Sequence, residues 1–311
     1  MRALASPASL KGVLTASEAA AALVVGLRRG GAEAEELAVA DGGEGTAAVL
    51  AAALGGVWRE ADVADPLGRR VRARWLELPD GTGVVDSAEA VGLGLLRPEE
   101  RDPLRASSRG LGELLGAMGE RPLVVGLGGS STVDGGAGML EVVDSLPSET
   151  TVLHDVRTTL RDSARLYGPQ KGARPEDIVE LEARLDRPEL RPYADTPGSG
   201  AAGGLGAAFA SLGGRLVPGA PYVLERIDFL QRAREVDLVV TAEGVIDATT
   251  LAGKAPAAVA DACRILGVRC VVAGGRVEGE VPGAETIALS GDPARAREDL
   301  EELGERLARA G

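Results

Sequence analysis

Three short apolar runs in this 311-residue chain each end in a glycine-containing loop that carries a carboxylate, and that arrangement narrows the folds open to it. Glu36 to Ala40 leads into Asp41-Gly42-Gly43-Glu44-Gly45-Thr46. Pro122 to Leu127 leads into Gly128 to Gly138, with Asp134 inside. Val236 to Val240 leads into Thr241-Ala242-Glu243-Gly244, with Asp247 close behind. Helical patterns over Thr46 to Leu54 and Pro256 to Leu266 come next in two of the three cases, and Arg269 to Ala273 reads as a further strand ending at Gly274-Gly275. Strands alternating with helices predict a parallel α/β architecture. In such sheets ligands sit outside the carboxyl ends of the strands, where helix N-termini aim N–H groups outward. The three loops are therefore the predicted seat of the chemistry.

The remaining segments set the organisation. Ser17 to Arg29 reads as an amphipathic helix with a Thr15-Ala16-Ser17 cap region and a Gly30-Gly31 stop. Ser107 to Met118 and Pro175 to Leu185 are further helices, and the densely charged Pro293 to Ala308 predicts a helix on a solvated outer face. Residues 57–86 change to period-two alternation with turns at Asp65-Pro66 and Pro79-Asp80-Gly81, a hairpin signal. A second, mixed α/β domain inserted into the first is expected, with 1–50 and 200–311 forming the parallel domain and 51–199 the insertion. Gly198 to Gly206 is a run of small residues suited to close packing on backbone or ligand.

Composition removes several functions. With 34 basic against 47 acidic residues, net −13, the chain lacks the basic face that a nucleic-acid backbone requires. Two Trp, three Tyr and two Phe are too few for a base-stacking platform. Two cysteines and one histidine exclude a Cys-rich zinc site and a disulfide framework. His154 is the single candidate for a histidine base, a role that lone histidines fill less often than a packing one, and Cys263 falls on the apolar face of a helix. Met1 to Pro7 has no apolar core of a leader, and no long apolar run spans a bilayer, so a cytoplasmic protein with no membrane partner is expected.

The charges that remain are selectively placed. Lys11, Lys171 and Lys254 are the only lysines, and each adjoins a glycine, whereas every other basic residue is arginine. They read as point charges set for an anionic ligand. Glycine loops supply N–H donors to phosphate oxygens, and a neighbouring carboxylate can hold Mg²⁺ or take the proton of an attacking hydroxyl. Two familiar phosphate motifs are absent. Gly126 to Ser131 misses the dinucleotide spacing, and Gly253-Lys254 is followed by Ala255 and has Ala248 at the first P-loop glycine position.

Taken together, Asp41 to Thr46 (DGGEGT), Gly126 to Met139 (GLGGSSTVDGGAGM), Tyr167 to Ala173 (YGPQKGA), Gly198 to Gly206 (GSGAAGGLG) and Glu243 to Pro256 (EGVIDATTLAGKAP) occur in the order seen in bacterial type-1 glycerate kinases. Ser6 to Thr15 (SPASLKGVLT) resembles the N-terminal loop of that family. The resemblance spans almost the whole chain. It implies a two-domain glycerate-kinase-like fold, with a flavodoxin-like parallel α/β domain and an inserted mixed one. It also implies ATP- and Mg²⁺-dependent phosphorylation of D-glycerate, on the 2-hydroxyl, in a cytoplasmic setting. On this reading Lys11, Asp41 and Asp247 are catalytic, and Ser9, Lys11, Glu44, Asp155 and Lys171 bind the hydroxy acid. Gly128, Gly129, Ser130, Ser131, Gly135, Glu243 and Lys254 bind the nucleotide, while Asp134 and Asp247 hold the metal.

The chain is a divergent example of the pattern. Ala8 and Leu10 replace an acid and an aromatic in the N-terminal loop, Val133 stands where asparagine is usual, and Thr158-Thr159 replaces Asn-Pro. Ala242, Val245 and Thr249 stand for glycine, arginine and glutamine, and Met139 to Asp155 is shortened. Loss of an arginine on the transferring phosphoryl group lowers rate by about 10³-fold in other phosphotransferases. Two alternatives follow: a non-catalytic relative that binds a nucleotide or small acid, and a kinase for another small hydroxy acid.

Overall fold

The computed structural model describes residues 1–251 and 253–311, with the backbone alone at 249 and 251. Its strands are β1 (Arg2–Ala5), β2 (Glu33–Glu36), β3 (Val57–Ala64), β4 (Arg70–Glu77), β5 (Gly83–Asp86), β6 (Leu123–Leu127), β7 (Thr150–His154), β8 (Arg215–Pro218), β9 (Leu238–Ile246), β10 (Arg269–Val277) and β11 (Glu285–Ala288). The chain divides into two units, one of Met1–Asp41, Ala48–Leu54 and Ala220–Gly311, the other of Gly42–Ala47 and Gly55–Gly219. No helix among the described residues is long and apolar enough to cross a membrane.

The first unit holds a five-stranded sheet in the order β11-β10-β9-β1-β2, parallel throughout. Counted along the chain this is the flavodoxin-like order 2-1-3-4-5, whose strand order reverses between β1 and β9. Buried Ala3, Ala5, Leu238, Val240, Val271 and Ala273 form the sheet side of its core. The helix Ala16–Arg29 starts at a capping box, in which Thr15 accepts from Glu18 N and the Glu18 carboxylate returns to Thr15 N. The charged C-terminal helix, Ala296–Ala310, is not solvated all round: Leu300, Leu303 and Leu307 recur on one face and are buried with the first helix in the same core. Glycine allows that contact, since a Cβ at Gly26 would lie 1.9 Å from the carbonyl oxygen of Glu301.

One strand is displaced from its expected position. β2 covers Glu33–Glu36, not Glu36 to Ala40. Beyond it Leu37 N still donates to Ala5 O and Val39 N to Pro7 O, and Leu37 to Ala40 are buried. Pro7 has no N–H to return the bond, so the ladder stops while the extended chain continues.

The second unit contains the sheet β3-β4-β5-β6-β7-β8. β3, β4 and β5 are antiparallel neighbours, and β5 to β8 run parallel, which makes it the mixed architecture expected of the insertion. Its core includes Val85, Leu111, Leu114, Met118, Val125, Val152, Leu205 and Phe209. The return point differs from the expected residue 200. β8 pairs with β7 from Thr151↔Arg215 to His154↔Pro218, and the helix Ala201–Ser211 buries Leu205 and Phe209 in this core, so residues 200–219 belong to the second unit. The small-residue run marks the start of a helix, with Ala202, Gly203 and Gly204 in left-handed conformations.

Candidate active site

In the first unit, at the strand-order reversal between β1 and β9, the loop after β1 runs along the C-terminal half of β9. Ala8 N donates to Ala242 O at 2.9 Å, and a Cβ at Gly244 would lie 3.7 Å from Lys11 N. Half-buried Ser9 and exposed Lys11 thus belong to the loop that passes Gly244. Glu243, near the end of β9, is buried, and Lys254, which precedes the helix Ala255–Leu266, donates from Nζ to its Oε1 at 2.9 Å. Burial raises the carboxyl of Glu243 and the charge of Asp41 adds to the rise, against the lowering effect of Lys254. Burial also lowers Lys254, but the hydrogen bond and charge of Glu243, with Asp247 and Asp41, outweigh it and leave the ammonium raised. Asp247 accepts from Thr250 N at 3.2 Å, and Thr250 Oγ1 is 3.3 Å from Glu243 Oε2. Asp41, Glu243, Asp247 and Lys254 therefore act on one another in this unit. Of the expected residues here, Thr249 has its side chain outside the described set.

In the second unit the expected phosphate cradle is only partly available. Ser131 N donates to Val91 O at 2.8 Å and Gly135 N to Gly203 O at 3.1 Å. These two N–H groups hold the loop and are not free for a nucleotide, which corrects their expected role. Gly128 and Gly129 pack under the Asp41–Thr46 loop: a Cβ at Gly128 would lie 2.7 Å from Gly43 Cα, and one at Gly129 would lie 2.7 Å from Glu44 Oε2. The exposed Glu44 side chain is thus beside the glycine pair. The hydroxyl of Ser130 accepts from Lys171 Nζ at 2.9 Å, which also donates to Thr132 O at 2.8 Å. Lys171 is fully buried, and desolvation pushes its ammonium down to about 7, with Asp134 opposing the shift.

Asp134 also departs from its expected part. Its Oδ2 accepts from Ser108 N at 2.8 Å, Ser108 Oγ at 2.7 Å and Gly138 N at 3.2 Å, and its Oδ1 accepts from Gly136 N at 3.0 Å. Four donors occupy the carboxylate, so it shapes the loop and has little left for a metal.

Asp86, at the end of β5, was not a sequence candidate. It is buried and accepts from Gly45 N at 2.8 Å and Ala47 N at 3.1 Å. Burial pushes its carboxyl up to about 7, the two N–H donors counter this, and the charges of Glu89 and Glu44 add to it. The signal that could have found it is the acid closing the apolar run Gly83–Val85, obscured because no glycine loop follows. Asp155 follows β7, where its charge acts on Tyr167, whose hydroxyl is 2.6 Å from Thr158 Oγ1. His154 is buried and a Cβ at Gly198 would lie 2.6 Å from its ring; burial lowers its pKa. That is packing, not a base exposed to substrate.

No group of three or more metal-ligating side chains occurs among the described residues. A dedicated cage is not what Mg²⁺ requires, because it binds through one or two carboxylates with phosphates and water. A carboxylate such as Asp247 has the chemistry for that demand, whereas Asp134 is taken up by its four donors.

Comparison with known proteins gives a consistent picture. The model of the glycerate kinase family matches residues 3–146 and 143–292, a break that falls within the shortened Met139–Asp155 segment. Glycerate 2-kinase of Escherichia coli K12 is 36% identical over 313 residues, covering 85% of this chain and 82% of the relative. Glycerate kinase of Bacillus subtilis 168 is 36% identical with the same coverage. A crystal structure from Salmonella typhimurium LT2, provisionally named glycerate kinase 2, superposes with a TM-score of 0.82 at 29% identity over 100% of this chain and 98% of that one. The two-unit α/β fold, the ordered motifs and these likenesses agree: the chain belongs to the glycerate kinase family.

Proposed function

We propose that the protein transfers the γ-phosphoryl group of ATP to the 2-hydroxyl of D-glycerate, giving 2-phosphoglycerate, in the cytoplasm. The observation that carries this reading is the buried Glu243–Lys254 pair, with Asp41 and Asp247, at the strand-order reversal of the first unit. Phosphoryl transfer depends on positioning and electrostatic stabilisation and needs no covalent nucleophile. Mg²⁺, held with the nucleotide by Asp247, would neutralise charge on the transferring phosphoryl group. Lys254, oriented by Glu243, meets the phosphates, and exposed Lys11 meets the transferring group. Asp41 accepts the proton of the attacking hydroxyl. Gly129 and Ser130 are the loop residues of the second unit left to offer backbone N–H groups, and Lys171 meets an oxyanion. Ser9, Glu44 and Asp155 orient the hydroxy acid.

Several of the divergent positions are absorbed by the fold. Val133 and Ala8 are buried, Thr158 bonds to Tyr167, and Thr159 Oγ1 donates to Asp162. This favours a working enzyme over a non-catalytic relative. An assay of ADP release with ATP, Mg²⁺ and D-glycerate, followed by identification of the product, tests the proposal. Glycerate-dependent ADP and the 2-phosphate are expected. No release from folded protein removes the reading, and release with a different hydroxy acid transfers it to that substrate.

A further inference from the structure

Arg101 stands apart from the other arginines. Its side chain is half-buried, its Nε is buried with no hydrogen-bond partner, and it forms no ion pair among the described residues. The acids that flank it in the chain are engaged elsewhere, Glu100 with Arg69 and Arg97 and Asp102 with Leu104 N. Leaving a guanidinium partly desolvated and unpaired costs free energy that surface arginines avoid.

Its position explains the cost. A Cβ at Gly172, the residue after Lys171, would lie 2.3 Å from the carbonyl oxygen of Arg101 and 3.1 Å from its Cβ. The segment that leads to Arg101 is tied to the loop after β6 by Leu93 N to Gly129 O at 2.7 Å and Ser131 N to Val91 O at 2.8 Å. Lys171 is in turn tied to Ser130 and Thr132 of that loop. Thr132 Oγ1, in a fully buried residue, is a second polar atom with no partner. Two cations with no ion-pair partner among the described residues, and the orphaned Arg101 Nε and Thr132 Oγ1, thus share one neighbourhood.

We propose that Arg101, together with Lys171 and the Ser130–Thr132 loop, forms a site in the second unit for an oxyanion of one of the reactants. Arg101 supplies a planar fork that grips two oxygens, and Lys171 a point charge behind it. A hydroxy-acid carboxylate and a nucleotide phosphate present the same chemistry, and the site takes one of them. The identity of these reactants rests on the kinase reading; the existence of the site does not.

The test compares the wild type with Arg101→Gln and Arg101→Lys. KM is measured for D-glycerate and ATP separately, and thermal shifts are recorded with D-glycerate alone, with metal-free ATP and with inorganic phosphate. Loss of charge-assisted hydrogen bonds predicts that Arg101→Gln raises one KM about 10- to 100-fold and removes the thermal shift by that reactant, with Arg101→Lys recovering part. An effect on D-glycerate identifies a carboxylate site, and an effect on ATP a phosphate site. Unchanged KM values and thermal shifts in both variants overturn the proposal. If Arg101→Gln fails to fold, the same readouts on Arg101→Lys decide. If wild type shows no turnover with D-glycerate but phosphate stabilises it in an Arg101-dependent way, the kinase reading falls and the oxyanion site stands.

Discussion

In the first unit the partly buried lysine, Lys254, donates to Glu243 at 2.9 Å and its pKa is raised. In the second, the buried lysine, Lys171, donates to a hydroxyl and a carbonyl, and its pKa falls to about 7. The acid that acts on it, Asp134, is saturated by loop donors, and the neighbouring Arg101 has a buried Nε with no hydrogen-bond partner and no ion pair among the described residues. A cation carrying its own counter-ion is set in place by the fold. A cation without one is costly until an anion arrives, so the second region is built to be completed by a ligand.

The largest expected contrast is in stability. Lys254→Met leaves Glu243 buried and unpaired beside Asp41, and urea denaturation should show a loss of about 3–5 kcal/mol. Lys171→Met removes an ammonium that has no ion-pair partner but strands Ser130 Oγ and Thr132 O, so its loss should be smaller, about 1–2 kcal/mol. A comparable loss in both variants would break the contrast. Next comes Asp134→Asn, which puts an amide in front of four donors. It should cost about 1–3 kcal/mol without changing the Mg²⁺ concentration needed for half-maximal turnover. A metal-holding Asp134 would instead give intact folding and a raised Mg²⁺ requirement.

A smaller effect separates the lysines by pH. The Lys171 ammonium is present below about pH 7 and is lost as pH rises through that value, because burial lowers its pKa. The KM of the reactant bound there should climb above pH 7 with a slope approaching about tenfold per unit, and the climb should vanish in Lys171→Met. Asp86, pushed up to about 7 and facing Glu44 and Glu89, titrates in the same window, and the Lys171→Met profile separates the two. Lys254, with its pKa raised, should contribute no slope there.

The strand-end loops were legible because a strand, a glycine and an acid are adjacent in sequence. The parallel sheet followed from that grammar and the flavodoxin-like fold from the family resemblance, whereas the Glu243–Lys254 ion pair was not foreseen. What was not legible depends on partners distant in sequence. Ser131 and Gly135 have the composition of a phosphate cradle, but Val91 and Gly203 take their N–H groups. Asp134 looks like a metal ligand until Ser108 is folded against it. Arg101 carries no local signal, since its distinction is the absence of the counter-ion that partly buried Arg121, Arg184 and Arg187 have. β2 was misplaced because the apolar stretch Leu37 to Ala40 is buried without a full ladder.

Because the chain has only Lys11, Lys171 and Lys254, ¹³C labelling at lysine Cε yields three signals that Lys→Arg variants can assign. Their titration, with and without D-glycerate or ATP, tests the contrast between the two regions most directly. The account predicts that Lys171 titrates near pH 7 in the free protein, that one reactant moves its midpoint upward, and that Lys254 stays charged throughout. A Lys171 midpoint in the ordinary lysine range, unmoved by either reactant, would contradict it.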